Sequence, residues 1–444
     1  MNNDDDIKIS AKRRRLVKQG KQFKERLQCE FIIPKKNRRC PLTRKETSQY
    51  CAQHIQIQTL ENKRIPCPID SRHSIWEKDL QNHTKKCEIK NDKDKQVSWF
   101  KLDYNCDSTT VGNSNNINNN DDDDDDENFT IDYSKWIPIV NEIYESNYKP
   151  LPLIQLDHKG TQSRMSQVTN QKHILQQSSL ISHLNTRDLL SSDLNYVEFG
   201  CGRAELSRYL LQCIIFQNKE NPLNLHSDSF SNFLLIDRSP TRLKLDSKMI
   251  KDLQDFNLKP NKIHRIKIDI KDLFIDDIIS KEFDTNDNDH KKFVAISKHL
   301  CGAATDLTIQ CILNSKNFKS RFKGMIVAMC CRHCCDYNKL NQFSKNYLSN
   351  LNIDRIGFKH LMKFASWAVN GRRPNMKDND GKDHSSGLNI KEREDLGLKA
   401  RRIIDESRKF ALEQNDGFKV ELCKYVKSDI SLENTSLIVT NRIE

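Results

Sequence analysis

The stretch Val197-Glu198-Phe199-Gly200-Cys201-Gly202-Arg203-Ala204-Glu205-Leu206 constrains this chain more than any other. An apolar run from Leu194 to Phe199 reads as a strand, and a helix is expected from Leu206 to Phe216. Two glycines two apart permit a sharp backbone turn and leave no Cβ in a ligand's way. The N–H groups that open the helix then point at whatever lies over the turn. A dinucleotide fingerprint would need a third glycine where Glu205 stands. Without a ligand the segment would be no more than a tight strand-to-helix connection.

The pattern downstream of the turn favours a ligand. Phe233-Leu234-Leu235-Ile236-Asp237 reads as a second buried strand, Lys262 to Ile268 as a third, Phe293 to Ser297 as a fourth and Lys323 to Met329 as a fifth. Phe418 to Val426 and Thr435 to Thr440 read as a closing pair, with a helix from about Arg393 to Leu412 before them. Strands alternating with helices imply an α/β, Rossmann-like fold around a parallel sheet. A glutamate ending the first strand before G-x-G suits S-adenosylmethionine (AdoMet), which has no pyrophosphate and a charged methionine end. A class I AdoMet-dependent methyltransferase domain is the expected architecture. Its cofactor candidates are Glu198, Gly200 and Gly202, then Asp237 for the ribose hydroxyls. Asp269 and Asp272, after the third strand, are candidates for the adenine amino group. The polar stretch 217–232 reads as an insertion between the first two strands.

The first quarter of the chain is of another kind. Residues 1–100 hold 24 Lys+Arg against 13 Asp+Glu, which is +11 of the net +12. A basic module on a nearly neutral remainder suggests a polyanion partner. Residues 1–28 form a basic leader containing Lys12-Arg13-Arg14-Arg15. Cys29, Cys40, Cys51 and His54 then supply one tetrahedral zinc set, and Cys67, His73, His83 and Cys87 a second. Four protein ligands leave no open position, so both sites are expected to be structural. Fifteen cysteines that cluster with histidines suit metal ligation and reduced thiols better than disulfides. Residues 105–128, Asn-rich and then Asp121 to Asp126, are expected to form a disordered linker. Residues 129–160 read as an irregular lead-in and 371–387 as a mobile polar stretch. Mean hydropathy is -0.76 and no run of 18 apolar residues exists to cross a membrane. The beginning Met1-Asn2-Asn3-Asp4 has no apolar signal region, so cytoplasm or nucleus is expected.

Chemistry gathers at two strand ends. The fourth strand delivers Ser297-Lys298-His299-Leu300-Cys301-Gly302, and the fifth Cys330-Cys331-Arg332-His333-Cys334-Cys335. Ligands of open α/β sheets bind at that edge, so a methyl acceptor would meet Lys298 and His299. The cysteine run is read as a substrate-facing loop of reduced thiols, with a third zinc as the alternative.

The glycine turn, S-K-H-L-C-G-x-A-T-D (297–306), C-C-x-H-C (330–334), Ser366-Trp367-Ala368 and Glu433-Asn434-Thr435 together resemble one family. It is that of the eukaryotic tRNA 2'-O-methyltransferases that modify nucleotide 4 of the acceptor stem. Asn170-x-Lys172-His173-x-x-Gln176-Gln177-x-Ser179 is similar to that family's entry helix, and the CCCH and CHHC fingers to its two fingers. The resemblance covers about 29–87 and 165–440. It implies AdoMet, two zinc ions and a tRNA acceptor stem, with no protein partner evident. The catalytic residue stays open among Lys298, His299, His333 and Lys172; Lys298 is the best placed. A protein methyltransferase and a non-catalytic RNA-binding protein are the competing readings.

Overall fold

A computed structural model describes residues 27–33, 38–40, 43–51, 54, 64–68, 74–86, 97–106, 129–165, 168, 170–220, 230–241, 243–258, 262–284, 291–370, 377–380 and 384–442. The chain divides into two compact units, Met1–Lys93 and Asp94–Glu444. The basic run Lys12 to Arg15, the Asp121 to Asp126 run and parts of the 217–232 and 371–387 stretches lie outside the described residues.

In the first unit, β1 (Ile32–Ile33) pairs antiparallel with β2 (Arg38–Arg39). β3 (Arg64–Pro66) pairs antiparallel with β4 (Ser74–Trp76), followed by helix α1 (Leu80–Lys86). Such short elements bury little apolar surface, so the buried Cys29, Cys40 and Cys51, with Phe31 and Tyr50, form a small core of their own.

The second unit is built on a seven-stranded sheet. Its strands are β5 (Asn195–Phe199), β6 (Phe233–Asp237), β7 (Ile263–Lys267), β8 (Phe293–Cys301), β9 (Phe322–Cys330), β10 (Phe418–Lys424) and β11 (Thr435–Asn441). They lie in the order β10-β11-β9-β8-β5-β6-β7, and β11 alone runs against the others. Val197 and Phe199 enter one apolar layer with Leu234 and Ile236. Tyr196 enters the layer on the opposite face with Phe233 and Leu235. Both faces are covered, which is why these strands read as continuous apolar runs. The chain leaves β5 towards β6 on one side and returns to β8 on the other, opening a crevice at the carboxyl ends.

Helices α2 (Tyr133–Asn147), α3 (Lys172–Asn185), α4 (Glu205–Glu220), α5 (Asp246–Gln254), α6 (Ile275–Glu282) and α7 (Ala303–Asn314) accompany the sheet. So do α8 (Gln342–Asn350), α9 (Arg355–Asn370) and α10 (Ile390–Glu413). Two expectations need correction. The lead-in after residue 129 is not irregular: Asp132 caps α2 by accepting from the Lys135 amide at 3.0 Å, and Pro138 lies within the helix. Trp136, Val140 and Ile143 bury against α9 and α10, and that packing outweighs the proline's helix penalty. Nor does a linker start at 105. The Asn105 side chain donates to the carbonyls of Ile270 (2.7 Å) and Leu273 (2.8 Å), and Cys106 joins the core, so 97–106 is fastened to the sheet unit.

Candidate metal centres and active site

The ligand atoms of Cys29, Cys40, Cys51 and His54 all lie within 4.8 Å of one another. His54 Nδ1 is 3.6 Å from Cys29 Sγ and 3.4 Å from Cys51 Sγ. A tetrahedral zinc with ordinary Zn–S and Zn–N bonds would set these atoms about 3.6 Å apart, so the donor set fits the ion. Phe31 stacks on the His54 ring with centroids 4.0 Å apart, fixing its plane. In the second finger, Cys67 Sγ and His83 Nε2 approach to 3.1 Å, with His83 carried by α1. The remaining expected ligands, His73 and Cys87, lie outside the described residues.

The glycine turn opens the cofactor side of the crevice. Gly200 and Gly202 have φ of +65° and +48°, values at which side chains are strained. Among the described residues nothing lies within 4 Å of where a Cβ on Gly202 would stand, so they leave that side of the turn open. The Gly202 amide donates to Asp237 Oδ2 at 2.8 Å and the Ser239 amide to Oδ1 at 2.9 Å, which locks this carboxylate at the end of β6. Each oxygen keeps a lone pair for a ribose hydroxyl. Asp269 is half-buried and caps the turn after β7 through the Lys271 amide. Asp272 is buried, accepts from the Asp103 amide at 2.8 Å and pairs with Lys271 at 3.4 Å. It fastens the 97–106 segment, which leaves Asp269 as the more available of the two acids.

Glu198 is buried and accepts from both the hydroxyl (2.5 Å) and the amide (3.2 Å) of Ser207, so it clamps the first turn of α4 to β5. Burial raises its pKa to about 7 against those two hydrogen bonds. Glu205 marks, in the sequence, only the missing third glycine. It stands half-buried at the head of α4 and accepts from the Gln177 amide at 3.2 Å. The buried Gln177 Oε1 has no hydrogen-bond partner among the described residues. A carboxylate beside an unsatisfied carbonyl suits an ammonium group, the charged end of AdoMet. The residues of this edge fit that cofactor.

On the acceptor side, β8 does not stop at Ser297 but continues to Cys301. Its register with β9 shifts between Lys298 and Leu300, and His299 takes the left-handed conformation at φ +66°. Such bulges re-aim side chains. Lys298 Nζ lies 3.3 Å from His173 Nδ1 and 3.4 Å from the His173 carbonyl, so α3 and β8 meet there. Burial lowers the Lys298 pKa to about 8, opposed by the charges of Glu205 and Glu198. Burial, with the charges of Lys298 and His173, lowers His299 to about 4. At neutral pH His299 is therefore uncharged. Lys172 is occupied, its Nζ donating to the Asp429 carbonyl at 2.5 Å. His333 lines a separate cavity of about 590 Å³ with Phe129, Tyr337, Arg355, Lys359 and Lys363. Its Nδ1 is buried with no partner among the described residues.

The cysteine run after β9 is held by charges that the sequence did not reveal. Arg332 is fully buried, with two bonds to Asp405 (3.0 and 2.7 Å) and one to Glu433 (3.0 Å). Arg401 also pairs with Glu433, and Arg408 grips Asp306 through two bonds (2.8 and 2.7 Å). Gly302, at φ +54°, permits a close approach: a Cβ there would lie 2.2 Å from the Cys334 carbonyl oxygen. Asp306 and Glu433 fall inside the S-K-H-L-C-G-x-A-T-D and Glu433-Asn434-Thr435 motifs. Asp405, Arg401 and Arg408 sit on a helix whose sequence signals only amphipathicity.

Comparison with known proteins identifies the family of the chain. The family described as Methyltransferase TRM13 matches residues 175–440. The CCCH zinc finger in TRM13 protein matches 27–55, and the U11-48K-like CHHC zinc finger matches 64–88. The tRNA:m(4)X modification enzyme TRM13 of Debaryomyces hansenii is 41% identical, over 98% of this chain and 96% of its own length. The protein of that name from Saccharomyces cerevisiae is 35% identical, over 94% and 96%. Among solved structures, a putative sarcosine dimethylglycine methyltransferase from Galdieria sulphuraria aligns with 69% of this chain and 97% of its own. Its TM-score is 0.24 at 8% identity. With the sheet order, the glycine turn and both finger matches on one polypeptide, the chain belongs to the TRM13 methyltransferase family.

Proposed function

We propose that this protein transfers the methyl group of AdoMet to the ribose 2'-hydroxyl of nucleotide 4 in the acceptor stem of tRNA. The relatives' shared name, tRNA:m(4)X modification enzyme, supports the substrate class. The observation that carries the chemistry is the Lys298 amine, half-buried at the bulge of β8 beside the crevice, with its pKa lowered to about 8. When bound, AdoMet supplies an electrophilic methyl on a sulfonium. Asp237 and Asp269 receive its ribose and adenine, and Glu205 with Gln177 its ammonium. The acceptor hydroxyl is a weak nucleophile at neutral pH, so its proton must leave as the new O–C bond forms and the methyl–sulfur bond breaks to leave a neutral thioether. Neutral Lys298 takes that proton at Nζ, and His173 holds the amine in place. Much of the remaining acceleration is positioning.

The zinc fingers and the basic first quarter grip the tRNA through phosphate and shape, because an A-form helix hides its bases in a deep, narrow groove. The Arg355, Lys359 and Lys363 cavity offers further phosphate contacts near His333. The deciding substrate is a tRNA carrying 2'-deoxyribose only at nucleotide 4. It is expected to bind about as well as the normal tRNA and to accept no methyl group. Methylation at the usual rate would place the acceptor on a base and overturn this reading. A protein substrate would be indicated by methylation of cell proteins but not of bare tRNA.

A further inference from the structure

We propose that Cys301, Cys330 and Cys331 hold a third zinc-class ion, in the sheet unit and separate from both fingers, with its fourth coordination position open. The three sulfurs all lie within 4.8 Å of one another. Cys301 and Cys330 are direct partners in the β8–β9 pair, and their sulfurs stand 2.8 Å apart. That is closer than unbonded sulfurs rest and longer than the roughly 2.05 Å of a disulfide. Around a tetrahedral zinc, thiolate sulfurs lie about 3.8 Å apart, so a shared cation would relieve the crowding by a small outward shift of one side chain.

The third sulfur is brought in by backbone that is costly to hold. Cys331 adopts φ 48°, ψ 49°, the left-handed region, and its amide donates to Glu433 Oε1 at 3.1 Å. Glu433 is itself pinned by Arg332 and Arg401. A non-glycine residue kept there is maintained by its surroundings, here the buried ion network. The same loop is pressed onto the turn after β8 by the close approach at Gly302.

The donor count among the described residues indicates what such an ion would do. Structural zinc sites have four protein ligands, as the first finger does, whereas three ligands with one open position is the arrangement of catalytic sites. Cys301 is exposed while Cys330 is buried, so the cluster opens to solvent at the sheet edge that also carries Lys298. A catalytic role for the ion rests on the proposed function. The open position would take the acceptor hydroxyl oxygen and lower its pKa. The O–H bond would break with the proton going to Lys298 Nζ, the O–C bond would form as the methyl–sulfur bond breaks and leaves its electron pair on sulfur, and the neutral ether would leave the ion. Loading the site converts three thiols to thiolates and releases their protons to solvent.

Metal content tests the site independently of any substrate. The full-length protein, purified after zinc-supplemented growth and stripped of loose metal on a chelating resin, should carry three zinc ions per chain. Cys331→Ser should carry two and still bind AdoMet by calorimetry. After replacement by Co²⁺, wild-type protein should show a sulfur-to-cobalt absorption band that is reduced in Cys301→Ser. All fifteen cysteines should be alkylatable after denaturation in chelator without reductant. Two zinc ions in wild-type protein would overturn the proposal, as would two thiols fewer than fifteen, which would mean a Cys301–Cys330 disulfide. Should the deoxy tRNA be methylated instead, the proposed acceptor fails but the zinc count stands.

Discussion

Replacing Lys298 by methionine removes the amine while keeping a stem of similar length, and it tests the centre of the proposed chemistry. General-base assistance contributes about 10²–10⁴ in rate, so the variant should lose at least a hundredfold in single-turnover methyl transfer at pH 9. The wild-type pH profile carries the sharper information. The proton acceptor is the neutral amine, and burial sets its pKa at about 8. About a tenth of the enzyme is then competent at pH 7 and about nine tenths at pH 9, so the rate should rise about tenfold between them. The Glu205 and Glu198 charges oppose that lowering by holding the ammonium form. Glu205→Gln should therefore move the inflection to lower pH. Single-turnover transfer from saturating AdoMet to tRNA, followed from pH 6.5 to 9.5, measures all three. A Met variant within threefold of wild type at pH 9, or a flat wild-type profile with AdoMet affinity intact, would refute Lys298 as the base.

Two further substitutions separate cofactor binding from folding. Gly202→Asp should weaken AdoMet binding at least a hundredfold by calorimetry, since its side chain enters space that none of the described residues occupies. At φ +48° it should cost only about 1–2 kcal/mol in stability, so an unfolded variant or unchanged affinity would count against the assignment. Asp306→Asn leaves the fully buried Arg408 with Asp405, at 3.6 Å, as its remaining acid among the described residues. Breaking a buried pair costs about 3–5 kcal/mol. With Asp405 retained, the loss by urea denaturation should lie near the lower end; a change below about 1 kcal/mol would show that the network does not brace the 330–335 loop.

The sheet was legible in the sequence because both its faces are buried. Strands such as Phe233–Asp237 and Phe322–Cys330 must then be apolar throughout, and no other local structure explains such short runs between polar segments. The glycine turn, Asp237 and the first finger's ligands were legible for a related reason: each meets a local requirement of backbone or coordination. Other features depended on residues distant in the chain. Helix α2 carries a proline and forms because α9 and α10 cover its apolar side. Asp272 and Asp269 look alike in sequence, and only the 97–106 segment folding back distinguishes their environments. Lys298 is an ordinary lysine until α3 and the bulge of β8 enclose it, and its pKa is a property of that enclosure. Arg332 stands in the run read as a substrate-facing loop, and nothing near Asp405 or Arg408 in the sequence marks them as its partners. Their burial, with the thiol cluster they brace, was decided by the packing of α10 against the end of β9 and the turn after β8. Local conformational rules are written into neighbouring residues, whereas desolvation and long-range charge pairing arise only when the chain closes on itself.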